Sequence, residues 1–445
     1  MTAKRASPSS RSIPARSPRG GEARPVPGGV ALADLLSPLA VSRFVSEHFD
    51  RRPLHLRAGA AKRRLVHALF DRDRFKSAIA HGHSLGRGGD EDGFSLRAIF
   101  PPAHEGPVDI PIAPYQVDTL LAAGASVCVH DLHRADRALA TLVSTAKHEL
   151  GFVGRVGMSC YVSPAGHGLT AHFDAQAVLT VQIEGAKVWR YSEAPAVAVP
   201  RANAMLEASG KVEWVGAPQG DLPFPEVDPP PRTMTEVELR PGDLLYLPAG
   251  HWHETLAGSP SIGLVLYFVP LSFSAFLERW LWSRFEGHDA WIKGLPASTV
   301  AAGEVARGMP DPVVAYLAAR LQELQAMLAT ADPSDIELVR VWRRFIAQGS
   351  PERPPPQPAP VRRDNVLRVA APHLLSVIEG RGGGGADFYV CSGDREIELP
   401  ASLEPLIQQI MSREPFRADS VASIPWRALR EALEILLAEG VLERV

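Results

Sequence analysis

Between about residues 95 and 270 the chain passes through a series of short, apolar, β-rich segments: ASVCVHDL, GRVGMSCYVS, AVLTVQI, KVWRYS, TEVELRPGDLLYLP and SIGLVLYFVP, parted by turn residues. This succession constrains the fold more than any other feature. β-Branched and aromatic residues suit a pleated backbone, whereas Gly, Pro, Asn and Asp end it. Many short strands at this spacing predict a closed or two-sheet β-barrel rather than a parallel sheet with crossover helices. A helical pair, 115–124 and 134–150, interrupts the strands, and further helical patterns flank them, so the class is α+β.

Those flanks suggest boundaries. Residues 1–28 are rich in Arg, Ser, Pro and Gly and offer almost nothing to bury, which predicts a disordered tail. Leu32, Leu35, Leu36 and Leu39, then Phe44, Val45 and Phe49, follow helical spacing, and the adjoining RRPLHLR reads as a strand. A β-rich unit therefore spans 29–270. After Pro270 the segments SFSAFLERWLWSRF, DPVVAYLAARLQELQAMLAT and DIELVRVWRRFIAQ carry periodic apolar faces and make a helical unit, 271–348. GSPERPPPQPAP, 349–360, is a stiff proline-rich linker. Residues 361–445 contain the turn RGGGG, short strands at FYVCS and REIELP, then two helices and a terminal strand, the outline of a winged-helix domain.

The chain of 445 residues has 47 basic and 50 acidic side chains, a formal charge of -3 that gives no global reason to expect nucleic acid or an anionic membrane as partner. No apolar run approaches the roughly 18 to 20 residues that span a bilayer, and the first residues lack the apolar core expected of a secretory signal. Cys128, Cys160 and Cys391 are scattered and odd in number, so neither a disulfide framework nor a thiolate zinc site is expected, and a reducing cytoplasm fits best.

One β-rich stretch carries chemistry. In GLTAHFDAQAVLTVQIEGAKVWRYS, His172 and Asp174 are two apart, so in extended backbone an imidazole and a carboxylate share a face. In LRPGDLLYLPAGHWHETLAG, a turn at Pro248 to Gly250 delivers His251 and His253, and antiparallel pairing can return this hairpin beside the first. Two histidines and one carboxylate, with coordination positions left open, make the facial triad of non-haem Fe(II) oxygenases. The spacing alone leaves His251 and His253 both open as the second histidine, with one of them hydrogen-bonding at the pocket rim. Lys187 follows the turn Glu184-Gly185, where a hairpin would return its ammonium to the same pocket. An inward lysine needs an anion, because burying it alone costs several kcal/mol, roughly; the distal carboxylate of a 2-oxo diacid is the obvious one.

HFDAQAVLTVQIEGAKVWRYS together with DLLYLPAGHWHETL resembles the JmjC-type cupin oxygenases, in particular the ribosomal oxygenase branch, with its bacterial arginine hydroxylase and human histidine hydroxylases. The resemblance implies a double-stranded β-helix (cupin, or jelly-roll, barrel) followed by a helical dimerisation region and a C-terminal winged-helix domain. It implies His172, Asp174 and His253 as ligands of Fe(II), Lys187 as partner of the C5 carboxylate of 2-oxoglutarate, and Tyr161 and Ser163 as cosubstrate supports. His251 departs from the family pattern. The implied reaction couples decarboxylation of 2-oxoglutarate to hydroxylation of an Arg, His, Asn or Asp β-carbon in a protein, with a ribosomal protein as the leading candidate and the enzyme a homodimer. Coverage runs from about residue 30 to the end.

Two rivals have their own discriminators. A peptide-tailoring hydroxylase acting on a ribosomally made natural product could use the same catalytic segment. A non-enzymatic cupin with a structural metal would use its last domain to bind nucleic acid, but ALREALEILLAEG carries one Arg against three Glu, poor for a helix among phosphates.

Overall fold

The computed structural model describes residues 29–85, 93–100, 108–215, 224–297, 308–333, 335–349, 360–380 and 388–445. The expected disordered tail, the RGGGG turn and nearly all of the proline-rich linker lie outside the described residues. The first fourteen strands are β1 (Leu54–Leu56), β2 (Ser95–Phe100), β3 (Val108–Pro111), β4 (Ser126–His130), β5 (Gly154–Ser163), β6 (His172–Phe173), β7 (Ala177–Glu184), β8 (Lys187–Tyr191), β9 (Asn203–Leu206), β10 (Val212–Val215), β11 (Thr235–Leu239), β12 (Leu244–Leu247), β13 (His253–Ala257) and β14 (Ser261–Pro270). They form two antiparallel sheets, ordered β1-β12-β7-β14-β5-β4-β2-β3 and β10-β9-β6-β13-β8-β11. Between β5 and β14 the chain changes sheet at every step except through β8, β9, β10 and β11, which share the smaller sheet, the winding of a cupin-type barrel.

This winding corrects two expectations. The segments 172–191 and 244–257 are not hairpins: β7 pairs with β12 and β14, whereas β8 pairs with β11 and β13. The turn at Glu184-Gly185 carries the chain across to the opposite sheet. Lys187 and His253 therefore reach the interior from the sheet facing β7 and β12.

Period-two alternation sorts the residues of the larger sheet. On β7, Leu179, Val181 and Ile183 join the outer core, while Val178, Thr180 and Gln182 line the barrel. On β14, Ile262, Leu264, Leu266 and Phe268 go outward and Gly263, Val265 and Tyr267 inward. The outer core is closed by helices α1 (Leu32–Leu36), α2 (Val41–Glu47), α3 (Ala60–Leu69), α4 (Arg72–Leu85), α5 (Val117–Ala122) and α6 (Arg137–Leu150). Leu32, Leu35, Leu36 and Phe44 are buried as the spacing predicts, but Val45 is 40% exposed. α6 starts where the Asp136 carboxylate accepts hydrogen bonds from the amides of Ala138 and Leu139 at 2.9 and 3.0 Å.

Beyond the barrel come α7 (Phe273–Phe285), α8 (Asp289–Ile292), α9 (Asp311–Ala329) and α10 (Ile336–Ala347). α10 packs on α7 and α6, and buried Lys147 of α6 donates to the carbonyl of Gln348 at its C-terminus, 2.8 Å away. The remaining chain holds β15 (Val366–Val369), β16 (Leu375–Glu379), β17 (Phe388–Ser392), β18 (Arg395–Leu399), α11 (Glu404–Ser412), β19 (Phe416–Arg417), α12 (Trp426–Ala438) and β20 (Leu442–Arg444). Its strands make two three-stranded sheets, β19-β15-β20 and β16-β17-β18, around a separate apolar core. No described helix is long and apolar enough to cross a membrane.

Candidate metal centre

His172, Asp174 and His253 converge inside the barrel, with one ligand atom from each lying within 4.8 Å of the others. β6 and β13 are adjacent, and His172 and His253 are direct cross-strand partners. The segment before His253 is held in place by Gly250, whose amide donates to the Asp174 carbonyl at 2.9 Å. Gly250 has φ +78°, and a Cβ there would lie 2.1 Å from the Val197 carbonyl, so only glycine fits this turn.

Both imidazoles are oriented by the backbone. His172 Nδ1 bonds the Thr170 carbonyl at 2.7 Å, and His253 Nδ1 bonds the His251 carbonyl at 2.9 Å. A carbonyl oxygen only accepts, so each Nδ1 carries the proton and each Nε2 keeps a lone pair for a metal. Trp189 stacks on the His253 ring at 5.7 Å. Burial holds the Asp174 carboxyl above the usual carboxylate range, against the pull of His172 and His130. Burial, together with the His172 ring, pushes His253 well below the usual histidine range. A neutral imidazole is the form that binds a metal, and a divalent cation would relieve the cost of ionising Asp174 there. The donor set fits a single ion of the two-histidine, one-carboxylate type.

His251 is not in the cluster. It is 2% exposed, and its Nδ1 donates to the Ser192 carbonyl at 2.8 Å, so it sits in the interior rather than at the pocket rim. Trp252, between the two histidines, turns to the other side and packs on Phe173.

The cluster opens into a cavity of about 410 Å³ whose walls include His172, Asp174, His253, Lys187 and Tyr161. Lys187 is 5% exposed; its Nζ lies 3.4 Å from Ser163 Oγ and 5.8 Å from the centre of the Tyr161 ring. Burial lowers this ammonium to about 8. Ser163 is buried behind Lys187 and accepts from the Ser126 hydroxyl at 3.0 Å. Sequence reasoning missed Thr180, Trp189 and Asn203, which also line the cavity. Period-two alternation through AVLTVQIE and KVWRY could have found the first two. Asn203 accepts a hydrogen bond from the Ala175 amide at 2.7 Å from a distant strand, and no local pattern announces it.

Residues 139–274 match the family model of the JmjC domain. An uncharacterized Bacillus subtilis protein, YxbC, is 33% identical over 115 residues, 24% of this chain and 32% of that protein. The bifunctional lysine-specific demethylase and histidyl-hydroxylase NO66 of Drosophila persimilis is 24% identical over 241 residues, 53% of this chain and 31% of that protein. Mouse ribosomal oxygenase 2 is 36% identical over 132 residues, 29% of this chain and 23% of that protein. The chain thus spans about a third or less of the length of these curated relatives. Among solved structures, Escherichia coli YcfD superposes with a TM-score of 0.51 at 16% identity, covering 92% of this chain and 98% of that one. YcfD in complex with cobalt and 2-oxoglutarate, described as a ribosomal oxygenase, gives 0.50 at 17% identity with the same coverage. With the triad and the barrel in place, residues 139–274 form a JmjC domain.

Proposed function

We propose that this chain is an Fe(II)- and 2-oxoglutarate-dependent oxygenase that hydroxylates an amino-acid side chain in a protein. The observation that carries the reading is the three-residue cluster with its ligand atoms within 4.8 Å, opening into a cavity that also buries Lys187. The cobalt and 2-oxoglutarate bound by YcfD support the cofactor assignment. The hydroxylase and ribosomal oxygenase names of the relatives support a protein substrate, with a ribosomal protein first among candidates.

Iron bound by His172, Asp174 and His253 supplies the oxidation, in which 2-oxoglutarate and dioxygen become succinate and carbon dioxide as a substrate C–H becomes C–OH. The chain does the rest. The Nδ1 bonds to Thr170 and His251 fix both rings, and Trp189 braces one of them. Lys187 supplies the charge for the distal carboxylate, with Tyr161 beside it and Ser163 positioning the ammonium. The enclosing strands keep bulk water from the reacting atoms.

In this reading 29–270 is the catalytic unit, 271–348 a dimerisation region and 361–445 a winged-helix-like module. The homodimer is supported by α9, where Val314, Leu321 and Leu328, each seven residues apart, are 47%, 62% and 46% exposed. The reading carries a cytoplasmic location, where the three buried free cysteines stay reduced. The test is succinate formation from 2-oxoglutarate with Fe(II), native protein against His172→Ala. Iron-dependent turnover lost in the variant is expected; no turnover by native protein at high concentration overturns the assignment.

A further inference from the structure

Among the inward positions of β14 that line the cavity, Gly263 alone has no side chain. Glycine inside a strand is destabilising by roughly 0.5–1 kcal/mol relative to alanine, so its presence calls for a cause. Backbone conformation does not supply one. The register with β7 shifts between Ile262 and Gly263, yet the φ of Gly263 lies outside the left-handed region, so the irregularity needs no glycine. Sterics do not supply one either. A Cβ at 263 would meet Gln182 Oε1 at 3.8 Å, the Val181 carbonyl at 3.9 Å and Thr180 Cγ2 at 4.0 Å, all ordinary contacts. Gly157 on β5 is different, since a Cβ there would lie 2.1 Å from the Tyr267 hydroxyl.

What remains is the cavity itself. Gly263 is the cross-strand partner of Tyr161 on one side and of Gln182 on the other. The Tyr161 ring is the one beside Lys187 Nζ. Thr180 Oγ1, next to the same space, is buried with no hydrogen-bond partner. The space over Gly263 is therefore bounded by the lysine-bearing end of the cavity, by the unsatisfied Thr180 hydroxyl and by the Gln182 carboxamide, whose Oε1 is likewise buried without a partner; of these, the ammonium and the hydroxyl can donate to an anionic oxygen.

We propose that Gly263 is the specificity-determining residue of the cosubstrate end: the room left by its missing side chain admits the distal methylene and carboxylate of a five-carbon 2-oxo diacid. This rests on the 2-oxoglutarate reading above. A side chain at 263 would occupy the position of that carboxylate group while leaving the oxo-acid end, at the metal, untouched. Acids without a distal carboxylate would not sense the change.

The test is calorimetric binding to Mn(II)-loaded protein without oxygen, comparing 2-oxoglutarate, oxaloacetate and pyruvate on native protein, Gly263→Ala and Gly263→Val. Thermal denaturation of each variant checks the fold. The expected result is a loss of 2-oxoglutarate affinity of about tenfold or more in Gly263→Val, a smaller loss in Gly263→Ala, pyruvate affinity within about twofold of native in both, and Mn(II) content unchanged. Should the valine variant fail to fold, the alanine variant carries the comparison alone, since its Cβ meets only ordinary contacts. A folded variant that binds 2-oxoglutarate as tightly as native protein overturns the proposal and leaves the cosubstrate reading standing. Native protein that takes up Mn(II) but binds no 2-oxoglutarate overturns both.

Discussion

His172 and His253 face each other across adjacent strands with ring centres 4.2 Å apart, each anchored through Nδ1 to a backbone carbonyl two residues earlier in the chain. Both second nitrogens are thereby aimed before any ion arrives. A ligand that binds only the folded state stabilises it by mass action, about 2.7 kcal/mol at a hundred times its Kd. Mn(II) or Zn(II) should therefore raise the Tm of chelator-treated native protein. Asp174→Asn, which keeps the shape of the side chain and removes its charge, should remain folded and lose that rise. A metal-induced shift as large in Asp174→Asn as in native protein would remove Asp174 from the ligand set.

His251 supports the site without belonging to it. Its side chain satisfies the Ser192 carbonyl, while only its backbone carbonyl touches His253. His251→Ala should lower stability by about 1–3 kcal/mol, the usual consequence of leaving a buried acceptor unpaired, and still bind one metal ion per chain. Denaturant unfolding and metal analysis check both parts. Loss of the ion in this variant would show that His251 is a ligand after all.

The clustering of His172 and Asp174 and the inward lysine were legible because H-x-D and Lys187 lie in local segments whose residue types have few other uses inside a barrel. The choice of His253 over His251 came from the family resemblance and not from the spacing. The connections between those segments were not legible. A hairpin and a sheet-to-sheet crossing use the same kind of turn, and Glu184-Gly185 serves the second. Strand pairing is decided by partners distant in sequence: β7 finds β14 and β12, while β8 finds β13 and β11. β6, which carries His172, has only two residues and no apolar run to mark it. Gly263 was hidden for a related reason. A glycine in SIGLVLYFVP reads as a weak point in a strand until the opposite wall of the cavity is known.

α9 has no buried residue, although its sequence is rich in Leu, Val and Ala. With Val314, Leu321 and Leu328 at heptad spacing, a second copy would cover this stripe. Leu321→Glu should convert a dimer to a monomer by sedimentation velocity, with the Tm of the barrel little changed. An unaltered sedimentation coefficient, whether monomer or dimer, would rule out this stripe as the interface.

On the proposed role of Lys187, cosubstrate binding would depend on pH in a definite sense. Burial lowers the Lys187 ammonium from the ordinary lysine value of 10.5 to about 8, so between those values the unfolded chain holds a proton that the folded chain has released. The penalty of burying the charge is thus fully present below about 8 and is relieved as pH rises toward 10.5, and this group's contribution to stability rises with pH over that window. A bound carboxylate reverses the balance, because an anion beside the ammonium favours its charged form. At pH 9, Lys187 should therefore take up a large part of one proton as 2-oxoglutarate binds, and at pH 7 almost none. Calorimetry of the Mn(II)-loaded protein in buffers of differing ionisation enthalpy reads this number directly. Lys187→Met should abolish the uptake and weaken 2-oxoglutarate severely, leave pyruvate binding near native, and keep its metal. Equal proton uptake at both pH values, or in the methionine variant, would show that another group faces the distal carboxylate.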